Sequence, residues 1–401
     1  MSNVISLGVP NERAGLPALF EDHIDSMPML TRFLNFAVRK DASDVILQTG
    51  KPPVGLIHGE LAPLASYKLQ SEQVEEIASI ISNGHALTTT LASGRDYNTS
   101  FPVPDLANSN EHGVPKRLRW RLNATPIIGK DASAKQLVLR HIPHDPPTLD
   151  EIAFPSELYE YIGLQQGAFL IAGETGSGKT TTFAACLRYI LEGNTPIKGN
   201  IVTYEQPVEY VFDDIQSDCC VIAQTEIGAG DDRPHLPTFA YGLVNAMRRK
   251  PSLIVVGEMR DPETIEAGNN AAISGHPIYS TIHANNSAAI IRRMVSLYDA
   301  SQKEQAFADL CANARILMSQ TLVPRVGGGR VCLRDWIVID PDRGDELLDA
   351  GIGQHARLMR RWMEDGDRAR SMKSSIEIAL RAGTISEETA LLALKRYGYV
   401  K

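Results

Sequence analysis

The sequence predicts an α/β protein whose main domain has a mostly parallel sheet, with a small α+β domain before it and a helical region after it. From about residue 151, short apolar runs typical of buried strands alternate with helical patterns. One strand–helix junction contains a glycine-rich segment, residues 173–180. Just before this region, Pro143, Pro146 and Pro147 fall close together, and no helix interior tolerates such a run. We therefore predict an interdomain linker over residues 143–150.

The predicted N-terminal domain covers residues 23–142 and follows a flexible tail, residues 1–22, which is rich in Gly, Pro, Asn and acidic residues. Apolar residues recur at helical spacing over residues 27–39 and 71–83, and Ser71 can cap the second of these helices. Segments rich in aliphatic residues predict the strands of this domain: residues 45–47, 54–58, 117–124 and 136–142.

The main domain is predicted to cover residues 151–340, and a helical C-terminal region covers residues 341–401. The predicted strands are residues 169–172, 201–204, 253–256 and 278–282. The predicted helices are residues 181–191, 239–249, 262–274 and 287–297. In the C-terminal region Gly383 ends one helix, and Ser386 caps the next.

Composition limits the functional classes. The 401 residues carry a net charge of −8, so we expect no direct nucleic-acid binding. No apolar run approaches the roughly 18 residues that span a bilayer, and the first residues lack a secretory signal. We therefore expect a cytoplasmic protein with only peripheral contact to a membrane. The five cysteines form no C-x-x-C pair, which indicates structural thiols rather than a zinc site.

Residues 173–180 read Gly-Glu-Thr-Gly-Ser-Gly-Lys-Thr and fit G-x-x-x-x-G-K-[ST], the pattern of loops that bind nucleotide phosphates. The glycines let the backbone wrap around phosphate oxygens, so that N–H groups and a helix N-terminus face an anion. Lys179 would reach the β- and γ-phosphates, and the Thr180 hydroxyl would coordinate Mg²⁺. The predicted phosphate-binding residues are Gly173, Glu174, Thr175, Gly176, Ser177, Gly178, Lys179, Thr180 and Thr181.

Two carboxylates follow predicted strands, whose carboxyl ends converge on the site in parallel α/β folds. Glu205 is placed to hold Mg²⁺ through water. Glu258 is our candidate to orient the water that attacks a γ-phosphate, the alternative being a solvated acid after a strand. Glu209, four residues after Glu205, is either part of this site or a surface acid in an ion pair.

Two histidines, His276 and His283, lie seven residues apart on either side of a β-branched segment. Two histidines with no third ligand do not make a zinc site. One interpretation is that each is a structural, hydrogen-bonding residue. The other is that they belong to the catalytic group, where one of them senses the state of the γ-phosphate and links it to domain movement.

These four segments, in this order, resemble the secretion ATPase family, which comprises P-loop motors of type II secretion, type IV pili and type IV secretion. The family calls them Walker A, residues 173–180; the Asp box, 203–210; Walker B, 253–261; and the His box, 275–285. The resemblance spans about residues 25–340. It implies a homohexamer that hydrolyses ATP to ADP and phosphate with Mg²⁺. Each subunit would hold ATP between a PAS-like N-terminal domain and a RecA-like domain, and closure of the two would perform work.

The resemblance also implies phosphate-contacting arginines. By motif position these are Arg119 or Arg121, and Arg140, in the N-terminal domain, with Arg260 in Walker B. Arginine is suited to this role because it neutralises charge on a transferring phosphoryl group. The alternative for the first three is a strand face whose arginines form surface ion pairs.

Within the family, the segments 203–211, 235–239 and 245–258 are most similar to the DotB/TraJ branch of type IVB secretion and conjugal transfer. Components of such an apparatus at the inner membrane are then the expected partners. Many relatives have Asp-Pro-Asp before the Walker B strand, whereas this chain has Lys250-Pro251-Ser252, so the catalytic assignment rests on Glu258. The alternatives are a pilus-retraction motor and a nucleotide-dependent assembly module with little turnover.

Overall fold

The computed structural model describes residues 19–57, 60–82, 86–109, 113–129, 134–142, 145–228 and 235–400. The chain divides into two compact units, residues 1–144 and 145–401. Among the described residues no helix is long and apolar enough to cross a bilayer. All five cysteines are free thiols.

The first unit is a six-stranded antiparallel sheet with three helices. The helices are α1 (Met27–Arg39), α2 (Ser71–Ser82) and α3 (Ala86–Ala92). The strands are β1 (Ala42–Gln48), β2 (Val54–Ile57), β3 (Glu60–Pro63), β4 (Tyr97–Ser109), β5 (Pro115–Pro126) and β6 (Lys135–Ile142). Their order is β3-β2-β1-β6-β5-β4. Alternation along β5 buries Leu118, Trp120 and Leu122 in the unit's core, so the residues between them lie on the opposite face.

The second unit is built on an eight-stranded sheet. Its strands are β7 (Gly167–Ala172), β8 (Gly199–Glu205), β9 (Cys220–Glu226), β10 (Pro251–Val256), β11 (Pro277–Ile282), β12 (Ala314–Pro324), β13 (Arg330–Val338) and β14 (Ala369–Arg370). The order is β14-β13-β12-β7-β11-β10-β8-β9. The strands from β12 to β9 run parallel, whereas β13 and β14 are antiparallel additions at one edge. The carboxyl ends of β7, β8, β10 and β11 therefore meet along one edge of the sheet.

Helices cover both faces of this sheet. They are α4 (Lys179–Leu191), α5 (Phe239–Ala246), α6 (Pro262–Ile273), α7 (Ile290–Val295), α8 (Lys303–Asn313), α9 (Pro341–Asp365), α10 (Met372–Arg381) and α11 (Glu387–Arg396). Short 3₁₀ helices span Ser156–Gly163 and Ser287–Ala289. Two large apolar clusters lie on the two faces of the sheet, and a smaller one joins β12 and β13 to α10 and α11.

The predicted α/β class is confirmed. The four predicted strands of the main domain are present as β7, β8, β10 and β11, and the predicted helix after the glycine-rich loop is α4. Other elements differ from the sequence-based expectation. The predicted helix 287–297 is a 3₁₀ turn followed by α7, and β3, β4, β9, β12, β13, α3 and α8 were not predicted. The C-terminal region adds β14 to the sheet. Residues 1–18 of the predicted tail lie outside the described residues, whereas Phe20, also placed in that tail, is buried and pairs with Ala65.

An aromatic group fixes α4 against the sheet. Phe169 in β7, Phe183 in α4 and Tyr279 in β11 have ring centroids between 5.2 and 5.4 Å apart. Tyr279 is fully buried, and its hydroxyl donates a hydrogen bond to the carbonyl of Ile162. Burial raises the pKa of Tyr279 well above its usual value, so this hydroxyl stays protonated and remains a donor.

We predict that Tyr279→Phe lowers the free energy of unfolding of the protein by about 1–3 kcal/mol, because the carbonyl of Ile162 keeps its burial and loses its donor. Urea denaturation measures the change. The matched control is Tyr241→Phe, at a tyrosine that is 55% exposed, where we expect a change within about 0.5 kcal/mol. Equal effects of the two substitutions would contradict the prediction.

Candidate functional site

The glycine-rich loop lies between β7 and α4, at the carboxyl edge of the parallel sheet. Gly173 has φ 149°, and a Cβ there would stand 2.5 Å from Ser177 Oγ and 2.6 Å from the carbonyl oxygen of Gln320. Gly178, with φ 86°, directly precedes α4. Only glycine satisfies both positions, because other residues meet a steric penalty at positive φ. The backbone therefore turns tightly and presents the N-terminus of α4, which is suited to binding an anion.

Lys179, the first residue of α4, points back into this loop. Its Nζ donates hydrogen bonds to the carbonyls of Gly173 at 2.8 Å and Glu174 at 3.0 Å. Burial lowers the pKa of Lys179, and the nearby carboxylates of Glu258, Glu209 and Glu174 oppose that shift. The structure thus brings the predicted phosphate-binding lysine close to the carboxylates that follow β8 and β10.

Glu258 follows β10 after a single glycine and is held at the edge of the sheet by its neighbours. The carbonyl of Gly257 accepts a hydrogen bond of 2.5 Å from Thr281 Oγ1, which ties the end of β10 to β11. His283, just after β11, has its Nε2 3.3 Å from Glu258 Oε1. Both side chains are partly exposed. Glu258 can therefore contact water as well as His283.

Glu205 ends β8 and is held by hydrogen bonds from two side chains. Its Oε1 accepts from Thr203 Oγ1 at 2.5 Å and from Gln224 Nε2 at 3.1 Å. Gln224 also donates to the carbonyl of Tyr210 at 2.8 Å, and the Tyr210 hydroxyl lies 3.1 Å from Thr181 Oγ1. The Asp-box segment is thereby linked from β9 to the first turn of α4.

The remaining predicted site residues are in different positions. Thr180 is half-buried at the start of α4, and Glu174, Thr175 and Gly176 are exposed in the loop. Arg260 is exposed, with its guanidinium 6.0 Å from the centre of the Phe239 ring. His276 and His283 are far apart, because they flank β11 at opposite ends. The Nδ1 of His276 lies 3.3 Å from the carbonyl of Ala271, near the end of α6. The two histidines therefore lie apart within the chain, and a catalytic role for either stays a prediction.

The three predicted arginines of the first unit share one face of its sheet. Arg121 in β5 pairs directly with Arg140 in β6, and Arg119 lies two residues before Arg121. Arg140 Nε donates to Asp44 Oδ1 at 2.8 Å. This ion pair agrees with the alternative interpretation of Arg140 as a strand-face arginine, and it leaves the phosphate role of the three as a prediction.

Three residues that contact the loop or α4 were not identified from the sequence. Gln320 in β12 donates from Nε2 to the carbonyl of Ser177 at 2.8 Å. Arg334 in β13 is buried and approaches Thr182 Oγ1 at 3.4 Å. Arg396 in α11 forms an ion pair with Glu174. For Gln320 and Arg334 the available signal was a polar residue within a strand pattern, whereas no local signal exists for Arg396.

A metal site made only of protein groups is not present: in the described ranges no three His, Cys, Asp or Glu side chains cluster as metal ligands. The oxygen donors Thr180 and Glu205 nevertheless suit Mg²⁺, which binds through one or two protein oxygens together with substrate phosphates and water. A magnesium ion held by these two residues stays a prediction.

These features define a P-loop nucleotide-binding protein: the glycine-rich loop on a parallel sheet, the lysine at the start of the next helix and the carboxylates that follow neighbouring strands. Comparison with known proteins narrows this class. A family model described as "Type II/IV secretion system protein" matches residues 110–339, more than half of the chain. The pilus retraction ATPase PilT of Pseudomonas aeruginosa is 31% identical over 314 residues, which are 78% of this chain and 83% of that protein.

Solved structures agree with this result. The Legionella pneumophila ATPase DotB matches with a TM-score of 0.79 and 33% identity, covering 94% of this chain and 97% of that one. The retraction motor PilT with bound ADP matches with a TM-score of 0.73 and 28% identity, covering 91% and 96%. The chain belongs to the type II/IV secretion ATPase family and is related to both DotB and PilT. Its fold is accordingly a RecA-like core with a smaller N-terminal PAS-like domain and a helical C-terminal region.

We predict that Gly173→Ala disrupts the loop far more than a glycine substitution in open space. The added methyl group would overlap the carbonyl oxygen of Gln320, which is backbone and cannot rotate away. The matched control is Gly94→Ala, where φ is 77° and nothing lies within 4 Å, so that only about 1–2 kcal/mol of backbone strain is expected. Urea denaturation compares the two, and a loss at Gly173 no larger than at Gly94 would contradict the prediction.

Proposed function

We propose that this protein hydrolyses ATP to ADP and phosphate and uses the reaction to power a transport apparatus. The observation that carries the proposal is the position of Glu258. Its negative charge opposes the lowering of the pKa of Lys179 in the phosphate loop, and its Oε1 lies 3.3 Å from His283 Nε2. In this proposal the loop and Lys179 bind the phosphates, and Glu258 accepts a proton from the attacking water or orients it. Membership of a family that includes named ATPases supports it.

We further propose that Mg²⁺ accompanies the nucleotide and is held by Thr180 and, through water, by Glu205. When bound, the ion would neutralise charge on the phosphates. The contribution of the chain is to fix the carboxylate of Glu205 through the hydrogen bonds from Thr203 and Gln224. His283, which contacts Glu258 and follows β11, would then change its position with the state of the γ-phosphate. That change would pass through β11 and promote movement between the two units.

For the apparatus, we propose a type IVB secretion or conjugal transfer system at the inner membrane, with this chain on its cytoplasmic side. The similarity to two DotB structures supports this choice, with TM-scores of 0.79 and 0.81. A pilus-retraction motor is the second candidate, since PilT is 31% identical over most of its length. Copurification from the host would separate them: pilus platform proteins would favour the second candidate, and secretion-channel components the first.

We predict that Glu258→Gln retains nucleotide binding and loses phosphate release by at least about 100-fold, because the amide cannot accept the proton of the attacking water. Phosphate release and the binding of a fluorescent ADP are measured on the same preparation. The matched control is Glu263→Gln, an exposed carboxylate in the first turn of α6, which should leave both values unchanged. Unchanged turnover in Glu258→Gln would end the assignment of Glu258.

We also predict that the protein assembles into a homohexamer in the presence of ATP and Mg²⁺. Tyr241, Val244 and Met247, along one side of α5 and just after it, are 39–56% exposed, as is typical of apolar surface that another chain covers. Sedimentation velocity with and without nucleotide measures the assembly. A monomer that binds ATP without turnover under all conditions would instead favour the assembly module with little turnover.

A further inference from the structure

Gln320 is a buried amide in the middle of an apolar strand. It lies in β12, next to β7, and is only 2% exposed. A primary amide in such a place is costly unless both its oxygen and its nitrogen form hydrogen bonds. Here both do, and both partners belong to the phosphate loop or to the helix that follows it.

The side chain of Gln320 connects the loop to α4. Its Nε2 donates to the carbonyl of Ser177 at 2.8 Å, and its Oε1 accepts from Thr182 Oγ1 at 2.9 Å. Its backbone carbonyl oxygen also lies 2.6 Å from the position that a Cβ on Gly173 would take. One residue of a neighbouring strand thus limits the first glycine of the loop and forms hydrogen bonds with the middle of the loop and the first turn of the helix.

The direction of these hydrogen bonds is fixed by the carbonyl of Ser177, which can only accept, so that Nε2 of Gln320 faces Ser177 and Oε1 faces Thr182. Arg334 approaches the same threonine; this arginine is a donor only, is 4% exposed and donates to the carbonyls of Ile152 and Ala153. Its NH2 group also lies 3.4 Å from Thr182 Oγ1. Because Gln320 Oε1 can only accept, Thr182 Oγ1 directs its hydrogen to that oxygen and is left with lone pairs for Arg334. The sequence of donors runs from Arg334 through Thr182 and Gln320 to the carbonyl of Ser177.

We infer that Gln320 is a positioning residue that holds the phosphate loop in its anion-binding shape. By engaging the carbonyl of Ser177, it keeps that oxygen turned toward β12 and away from the position of the phosphates. The inference deepens the proposed function, because it rests on the same loop binding a nucleotide. Gln320 itself acts through the backbone of the loop rather than on the reacting atoms.

The test compares Gln320→Leu with Ser319→Ala. Ser319 is the adjacent buried residue of β12, and its hydroxyl donates to Asp335 Oδ2 at 2.9 Å, so its substitution removes one buried hydrogen bond, against the two that Gln320→Leu removes. Amide hydrogen exchange of residues 174–182 is measured on the full chain without nucleotide, together with the dissociation constant for ADP. We expect exchange in this segment to accelerate and ADP affinity to fall about tenfold in Gln320→Leu only.

Equal loop exchange in Gln320→Leu and in the wild type would overturn the inference, and so would equal loop effects of the two substitutions. Should Gln320→Leu fail to fold, Gln320→Met keeps the length of the side chain and removes the donor to the carbonyl of Ser177. We expect it to accelerate loop exchange, and normal exchange in that variant would also overturn the inference. Failure of the wild type to bind ADP would refute the proposed nucleotide function, while the exchange measurement would still decide the positioning role.

Discussion

Anion binding by a loop depends on one constraint: the backbone N–H groups that face the ligand cannot also be used to hold the loop in shape. The second unit meets this constraint with glycines in the loop and with side chains around it. Gly173, Gly176 and Gly178 permit the turn at positive φ, the aromatic group around Phe183 fixes the helix that follows, and Gln320 engages a loop carbonyl. Within the loop the N–H of Ser177 donates to the carbonyl of Glu174, whereas the contacts from Lys179 and Gln320 go to loop carbonyls and spare its N–H groups for a ligand.

The charges around the loop set a second constraint. Lys179 has the carboxylates of Glu258, Glu209 and Glu174 near it, and Glu174 is in turn paired with Arg396. A nucleotide brings several further negative charges into this environment. The divalent cation proposed above would offset this repulsion, and additional arginines would reduce it further.

The parts of the site that the sequence predicted are those with a local pattern. The loop, Lys179, Glu205 and Glu258 each lie beside a strand of recognisable composition, and parallel strands place such ends together. The hydrogen bond between Gln320 and Thr182 joins residues 138 positions apart, and that between Arg334 and Thr182 spans 152. No local period reports such a contact, since it depends on β12 lying next to β7 in the sheet.

The two histidines, whose catalytic role stays a prediction, show how a strand separates residues that are close in sequence. The six-residue strand β11 lies between them, so the two histidines stand at opposite ends of an extended segment. At about 3.3 Å per residue, this strand separates them by roughly 20 Å. The same reasoning explains why only His283 contacts Glu258, at the carboxyl edge.

The contact between Arg396 and Glu174 has a practical consequence for how the protein can be shortened. The helix α11 lies near the end of the chain, yet it packs with α10 on β12 and β13. It also carries Arg396, whose guanidinium pairs with Glu174 of the loop. Trimming residues 386–400 would uncover apolar side chains of those strands and leave Glu174 without this ion pair. Nucleotide affinities measured on a trimmed protein would then describe a differently charged loop, and structural studies should retain the last helix.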